Sequence, residues 1–587
     1  MYKPKLDTLQ VNRDMITAFG GYRNNKVIDE NCFTFEENMS SDSFPVFSPR
    51  NKRAFFNVLG ESLHGLFSKN KICYIKDNSL YYGGEKISGI YFPDTERKRQ
   101  FVSMGAKVIV FPDKFYFNTA DFSDYGYLEA EFNSVEGTNV TASLCKADGD
   151  FYSDYTISAT APENAVNGTL WLDTSITPNE LKQYSESISG WFSLAETHVR
   201  ITCGGIGKGF KQYDGVFISG MSEDSLNGAH ILRDVGDDYI TITGMITNTI
   251  NQTAKITVER KIPDMDFICE NGNRLWGCNS QNNEIYASKL GDPTNFNCFM
   301  GISSDSYAVS VGTDGEFTGA ISYRGYVLFF KEACVHKIYG MNPPYTVNTS
   351  YIRGVQKGSG LSLVIVNETL YYKSPKGICA FEGGVPVCIS QDLGDEYYTD
   401  GVAGALGDKY YICMSDKYKK RHLFVFDEGK RIWHREDEMN ILEFATHNCN
   451  LYFIAEIDGV KRLCLADGVN RYGNFTNELS GYVEEEDFPW YAESGPWGLS
   501  VPENKYYSKI VFRVYGKKGS FVKIDFQTDL NGKWETQKEL RLDKTGSFVL
   551  PFISPRCDTL KIRISGKGEF NIYSISREIQ TGSELNV

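Results

Sequence analysis

Apolar positions in this chain come in short runs rich in Tyr, Phe, Val and Ile, broken about every 8 to 12 residues by Gly, Asn, Asp and Ser. Runs of that length suit strands and are too short for stable helices, so the pattern predicts an all-β chain. Helical periodicity is scarce. The best helix candidate is Thr177-Pro178-Asn179-Glu180-Leu181-Lys182, with Thr177 as N-cap and Pro178 in the first helical position.

Within this text one unit recurs seven times: a strand of small or apolar residues, a polar turn, then an apolar strand carrying aromatics. The copies open at Leu63, Phe101, Phe267, Ile321, Leu363, Val402 and Phe444, and their second strands are Cys73-Tyr74-Ile75, Val108-Ile109-Val110, Arg274-Leu275-Trp276, Tyr326-Val327-Leu328-Phe329, Leu370-Tyr371-Tyr372, Tyr410-Tyr411-Ile412 and Leu451-Tyr452-Phe453. The intervals between openings are 38, 166, 54, 42, 39 and 42 residues. All but the second approach the roughly 40 to 50 residues of a propeller blade. Third and fourth strands follow plausibly, as in His422-Leu423-Phe424-Val425-Phe426-Asp427 and Arg431-Ile432-Trp433-His434. One four-stranded sheet cannot bury both faces alone, so blades stack radially. The expectation is a roughly seven-bladed β-propeller, against the alternative of unrelated hairpins forming a sandwich.

The domain plan follows. Residues 1–55 form an N-terminal arm, 56–113 blades one and two, 114–262 an inserted β-barrel or sandwich, and 263–470 blades three to seven. In the insertion, Tyr239-Ile240-Thr241-Ile242 and Ala254-Lys255-Ile256-Thr257-Val258 alternate with period two, and Asp214-Gly215 and Asn227-Gly228 are hairpin turn pairs. Residues 471–587 pass through the acidic Glu484-Glu485-Glu486-Asp487 into strict alternation. Val522, Ile524 and Phe526, then Leu560, Ile562 and Ile564, interleave with polar residues. Strands of that kind bury one face and wet the other, as in an antiparallel β-sandwich.

Composition supports packed cores throughout, with 41% hydrophobic residues, 36 Tyr and 38 Phe. Charge argues against a surface built to neutralise nucleic acid, unless a local basic lining offsets the whole, since 75 acids outnumber 61 bases for a net charge of −14. The opening Met1-Tyr2-Lys3-Pro4-Lys5 precedes no apolar run, and no stretch reaches the length of a membrane span. The expectation is a soluble protein made in a cytoplasm, without membrane insertion. The 14 cysteines are scattered singly without a CxxC pair, which reads as small buried hydrophobes in a reducing compartment.

The search for chemistry yields little. The seven histidines, at positions 64, 198, 230, 336, 422, 434 and 447, form no HxxxH, HxH or HExxH pair, so no metal site is expected. The glycine-rich Cys203-Gly204-Gly205-Ile206-Gly207-Lys208-Gly209 lacks the spacing, the following Ser or Thr, and the helix of a phosphate-binding loop. No GxSxG elbow occurs. Acids facing each other across a propeller channel could form a glycosidase site, for which Asp314, Asp392, Asp395 and Asp408 are candidates, although acids at turns are ordinary strand punctuation. Trp490, Tyr491 and Trp497, set among Pro489, Gly495, Pro496 and Gly498, read as a loop whose aromatics pack on another domain, a partner or a glycan. No catalytic residue, metal or cofactor is expected, and the chain reads as a non-enzyme.

Phe19-Gly20-Gly21-Tyr22, Glu37-Asn38-Met39-Ser40 and Pro45-Val46-Phe47-Ser48-Pro49-Arg50 at the start, then Ala287-Ser288-Lys289-Leu290-Gly291-Asp292-Pro293-Thr294-Asn295-Phe296, Phe317-Thr318-Gly319-Ala320 and Leu328-Phe329-Phe330-Lys331-Glu332, are stretches that resemble phage tail nozzle and tail-hub proteins. The final block, from Gly498-Leu499-Ser500 through Ser554-Pro555-Arg556-Cys557-Asp558 to Tyr573-Ser574-Ile575-Ser576, resembles structural proteins of prophages in Gram-positive bacteria. The resemblance implies a virion tail component. It would be a homo-oligomer, favoured as a hexameric ring around the DNA channel, with other tail or neck proteins as partners and DNA passing transiently. The alternative is a receptor- or glycan-binding tail protein meeting host surface glycan, with depolymerase activity. A cytoplasmic scaffold propeller is a third possibility.

Overall fold

The computed structural model describes residues 10–95, 97–152, 154–468, 479, 481–501 and 504–581. Met1 to Lys5, and the domain boundary at 470 and 471, lie outside them. Among the described residues the regular structure is all strand apart from three short 3₁₀ turns. None of their helices is long and apolar enough to cross a membrane.

The helix expected at Thr177–Lys182 does not form. Glu180–Ser185 is a strand between Leu170–Asp173 and Gly190–Ser193. Leu181 is buried opposite Leu172, while Lys182 on the next position reaches Asp173 at 2.7 Å. Pairing on both sides supplies the backbone hydrogen bonds of this segment and turns Leu181 to the core, and six residues gain too little from isolated helix formation to compete.

The seven repeated units fall on the first two strands of seven serial antiparallel sheets. The first sheet is His64–Lys69, Lys71–Lys76, Ser79–Tyr82 and Glu85–Tyr91. The second runs from Gln100–Met104 to Tyr125–Tyr127, the third from Phe267–Glu270 to Tyr307–Ser310, and the fourth from Gly319–Tyr323 to Thr346–Ser350. The fifth is Val364–Val366, Thr369–Ser374, Gly377–Phe381 and Val387–Cys388, and the sixth Thr399–Leu406, Lys409–Ser415, Arg421–Asp427 and Ile432–Arg435. The seventh contains Asn440–His447, Asn450–Ile457 and Val460–Leu465, and its next strand is Ala54–Gly60, from far upstream. That strand pairs antiparallel with Val460–Leu465, setting Ala54 opposite Leu465 and Gly60 opposite Lys461.

The chain divides into two compact units, one of residues 1–96, 330–335 and 350–587, the other of 97–329 and 336–349. In the first unit the leading strands of sheets five, six, seven and one pack in that succession, and a hydrophobic core fills each gap. The strand Lys409–Ser415 shows how one sheet serves two cores. It is buried along its whole length, with Tyr410, Ile412 and Met414 in the core toward sheet five and Tyr411 and Cys413 in the core toward sheet seven. Period-two alternation therefore does not appear as apolar and polar here, because both faces are dry. In the second unit, sheets two, three and four pack likewise.

The insertion within the second unit is an eight-stranded sheet together with a four-stranded sheet, sharing one core that includes Leu172, Leu181, Ile201, Ile240 and Val258. The order of the eight strands is open, ending at Ala130–Asn133 and Ile250–Gln252, so no closed barrel forms. The C-terminal region is two five-stranded sheets around a single core in which Ile524, Phe526, Ile562 and Ile564 meet Phe512, Val514 and Ile572. Both sheets incorporate N-terminal strands. Gln10–Ile16 pairs with Phe570–Thr581, and Phe33–Glu37 with Pro489–Ser494.

Between these strands and sheet seven lies a buried ionic cluster. The Arg53 guanidinium, 1% exposed, donates to Glu436 at 2.6 Å and also to Asp437. Arg50 forms a forked pair with Glu485 at 2.6 and 2.9 Å, donates to Asn38 at 2.7 Å, and lies 4.0 Å over the Phe488 ring. Burial disfavours the Arg53 charge, but Asp437 and Glu436 outweigh it and hold its pKa above the ordinary range. Removing one member leaves the others charged and dry. Arg53→Met is expected to lower unfolding free energy by about 3 to 5 kcal/mol in denaturant titration. A loss below about 1 kcal/mol would mean the cluster is solvated and holds nothing in place.

Candidate functional site

A cavity of about 350 Å³ opens in the first unit where sheet five adjoins sheet six. That volume is at the low end of the roughly 300 to 1,000 Å³ of small-molecule sites. Its walls come from the turn at Pro375 and Lys376, from the connection 389–398 between the two sheets, and from Met414 of sheet six. Gly377 lets the turn close: its φ is +131°, and a Cβ there would stand 2.4 Å from the Ser390 hydroxyl. The connection contains the 3₁₀ turn Gln391–Leu393, propped by the N-terminal segment. Asn24 donates its backbone N–H to the Asp392 carbonyl at 2.7 Å, and Arg23 pairs with the Asp392 carboxylate at 3.1 Å.

Lys373 gives this cavity its chemistry. It extends the apolar run Leu370-Tyr371-Tyr372 on a strand whose six residues are all buried, and it is itself 2% exposed. Its backbone is fixed, the N–H donating to Ser362 Oγ at 2.9 Å and the carbonyl accepting from Gln356 at 2.9 Å. The Nζ donates to the Ser374 carbonyl at 2.6 Å and lies 5.6 Å from the Tyr397 ring centre. Among the described residues no carboxylate pairs with this amine. Burial pulls its pKa down to about 8, only partly offset by the thiols of Cys379 and Cys388.

The rest of the lining grades from dry to wet. Tyr398 is buried with its ring edge-on to Phe424 at 5.4 Å, and burial raises its phenol pKa. Tyr397 is 58% exposed, its hydroxyl accepting from Gln356 at 2.7 Å. Asp395 and Glu396 are exposed at the rim. The arrangement is a cationic floor, aromatic walls and an acidic lip.

Of the four acids singled out in the sequence, Asp395 alone lines this cavity. Asp392 is turned to Arg23 and Asn25, and Asp408 accepts from Asn367 at 3.0 Å. Asp314 lies exposed in the second unit. Trp490, Tyr491 and Trp497 do not share a surface. Trp490 is on a strand, not a loop, stacked on Phe570 at 5.4 Å with its indole N–H on the Gly568 carbonyl. Trp497 donates to the Glu30 carbonyl beneath Arg577, and both indoles are at most 2% exposed. Tyr491, half-buried, donates to Glu493 at 2.8 Å. Neither indole offers a face to a ligand. None of the fourteen cysteines is in a disulfide, and all but Cys388 and Cys449 are buried. No group of three or more His, Cys, Asp or Glu among the described residues could hold a metal ion.

No family model matches this chain. Over 183 residues it is 27% identical to a tail fiber protein of Enterococcus phage phiEF24C, covering 27% of this chain and 9% of that protein. The chain thus spans under a tenth of that relative's length. Among solved structures it is similar to an exo-beta-1,3-galactanase of Phanerochaete chrysosporium, with TM-score 0.22 and 9% identity over 53% of this chain and 94% of that one. It is also similar to the phage phi92 endosialidase, with TM-score 0.14 and 8% identity over 82% of this chain and 72% of that one. Such low TM-scores carry no argument about fold or activity.

The buried amine makes a prediction about pH. Folded Lys373 releases its proton near pH 8, whereas the unfolded chain keeps it to about 10.5. Between those values the unfolded state binds more protons, so this residue's contribution to stability rises with pH, by up to about 3 kcal/mol. Denaturant titrations of the native chain and Lys373→Met at pH 7.5 and pH 10.5 are expected to show that the native chain gains on the variant. Parallel curves would mean the amine is solvated.

Proposed function

We propose that this chain is a non-catalytic component of a bacteriophage tail whose seven serial sheets close as a propeller, and that it binds host surface glycan. The observation that carries the tail assignment is the similarity to the Enterococcus phage tail fiber protein. The succession of sheets, each sharing a core with the next within its unit, supports the propeller. Delivery of Ala54–Gly60 to the seventh sheet supports ring closure, because an upstream strand then completes the last blade.

Binding suits the cavity better than hydrolysis. Most glycosidases use two carboxyl groups on opposite sides of the scissile bond, roughly 5 to 9.5 Å apart. The acids at this rim, Asp395 and Glu396, are consecutive in the chain and both exposed. A floor bearing an amine and aromatic walls serve orientation and affinity.

A second reading, a homo-oligomeric ring around DNA in contact with other tail or neck proteins, is favoured by the net charge of −14, which would repel a passing phosphate backbone. Native mass measurement separates the two: multiples of the 66.2 kDa chain that stop at six favour the ring. Immunogold labelling of particles from the encoding strain is expected to mark the tail. Particles that carry no label, with the protein left in the soluble fraction, would overturn the tail assignment.

A further inference from the structure

We infer that the cavity floored by Lys373 is a binding site for a monosaccharide-sized organic anion, a sugar acid whose carboxylate meets the Lys373 amine. The inference deepens the glycan-binding reading and rests on it for the source of the ligand.

Three features of the site converge on that chemistry. The ammonium has three donors, and the Ser374 carbonyl takes one at 2.6 Å. With 2% exposure and no carboxylate paired to it among the described residues, the cation is dry and uncompensated, a costly state that an anionic ligand relieves. The second feature is the Tyr397 ring, which stands beside the amine and is 58% exposed, so that its face can carry the apolar side of a sugar ring. Thirdly, Asp395 and Glu396 at the lip accept hydrogen bonds and have no use for a second anion there. They suit the hydroxyl groups of a ring whose single negative charge is at the other end. A neutral sugar would leave the amine unmet, and a polyanion would be repelled at the lip.

A phosphate on a polyol offers the amine the same charge-assisted hydrogen bond, so the test needs both arms. Isothermal titration of the 587-residue chain with galacturonate, N-acetylneuraminate, glycerol 1-phosphate and neutral galactose is the direct experiment. Galacturonate or N-acetylneuraminate is expected to bind at least tenfold more tightly than galactose, and Lys373→Met to abolish the difference. Tyr397→Ala, at an exposed position, is expected to weaken the sugar acid severalfold, and it carries the test if Lys373→Met does not fold. Preference for glycerol 1-phosphate would keep the anion site and move its source to a phosphate polymer, overturning the sugar-acid assignment. Equal binding of galactose and the acids, or binding unchanged in both variants, would overturn the site itself. The titration uses purified protein, so its failure leaves the tail assignment standing, and absence of immunogold label leaves the cavity standing.

Discussion

The placement of Arg53 constrains much of the first unit. Its guanidinium is removed from water and satisfied by Glu436 and Asp437, on the segment that joins the sixth sheet to the seventh. Arg53 immediately precedes Ala54–Gly60, so the charge pair fixes the strand that completes the seventh sheet at the point where it enters. Arg50, three residues earlier, fixes Glu485 and Asn38 in the same way. A buried ion pair adds little net stability when compared with a well-packed apolar pair, but it tolerates no alternative register, because any slip leaves a bare charge in a dry core.

The same logic, with apolar groups, repeats through the sheets. A central strand such as Lys409–Ser415 supplies one core with its even-numbered side chains and the next with its odd-numbered ones, so each sheet shares its two faces with its neighbours. The edge strand of a sheet leaves a row of backbone groups unpaired unless another strand covers it. The return of Ala54–Gly60 to Val460–Leu465 covers one, and Tyr482–Glu484 pairs on its far side.

The cavity is the exception that this regularity permits. Six buried residues in Thr369–Ser374 would ordinarily be apolar, and Lys373 among them costs stability that packing of the surrounding strand must offset. A binding site is a reason for a fold to retain such a residue. The acidic lip and exposed Tyr397 give the amine a route to a ligand rather than to a partner side chain.

The strands and their sevenfold recurrence are legible along the chain, because turn residues and strand length are local properties. The sequence located the hairpins at Leu63, Val402 and Phe444 to within a few residues. It misread Thr177–Lys182, where a Thr-Pro start resembled a helix entry and the single buried Leu181 was too weak a signal of alternation. Tertiary structure decided what depends on distant partners. Trp490 reads as a loop aromatic until Phe570 closes over it, and Arg53, which no motif singles out, is paired with Glu436 and Asp437, 383 and 384 positions away. Lys373 was legible only as a lysine ending an apolar run. That it lies under an open cavity without a counter-charge follows from which sheet packs beside it, and pairings of that range leave no periodicity in the chain.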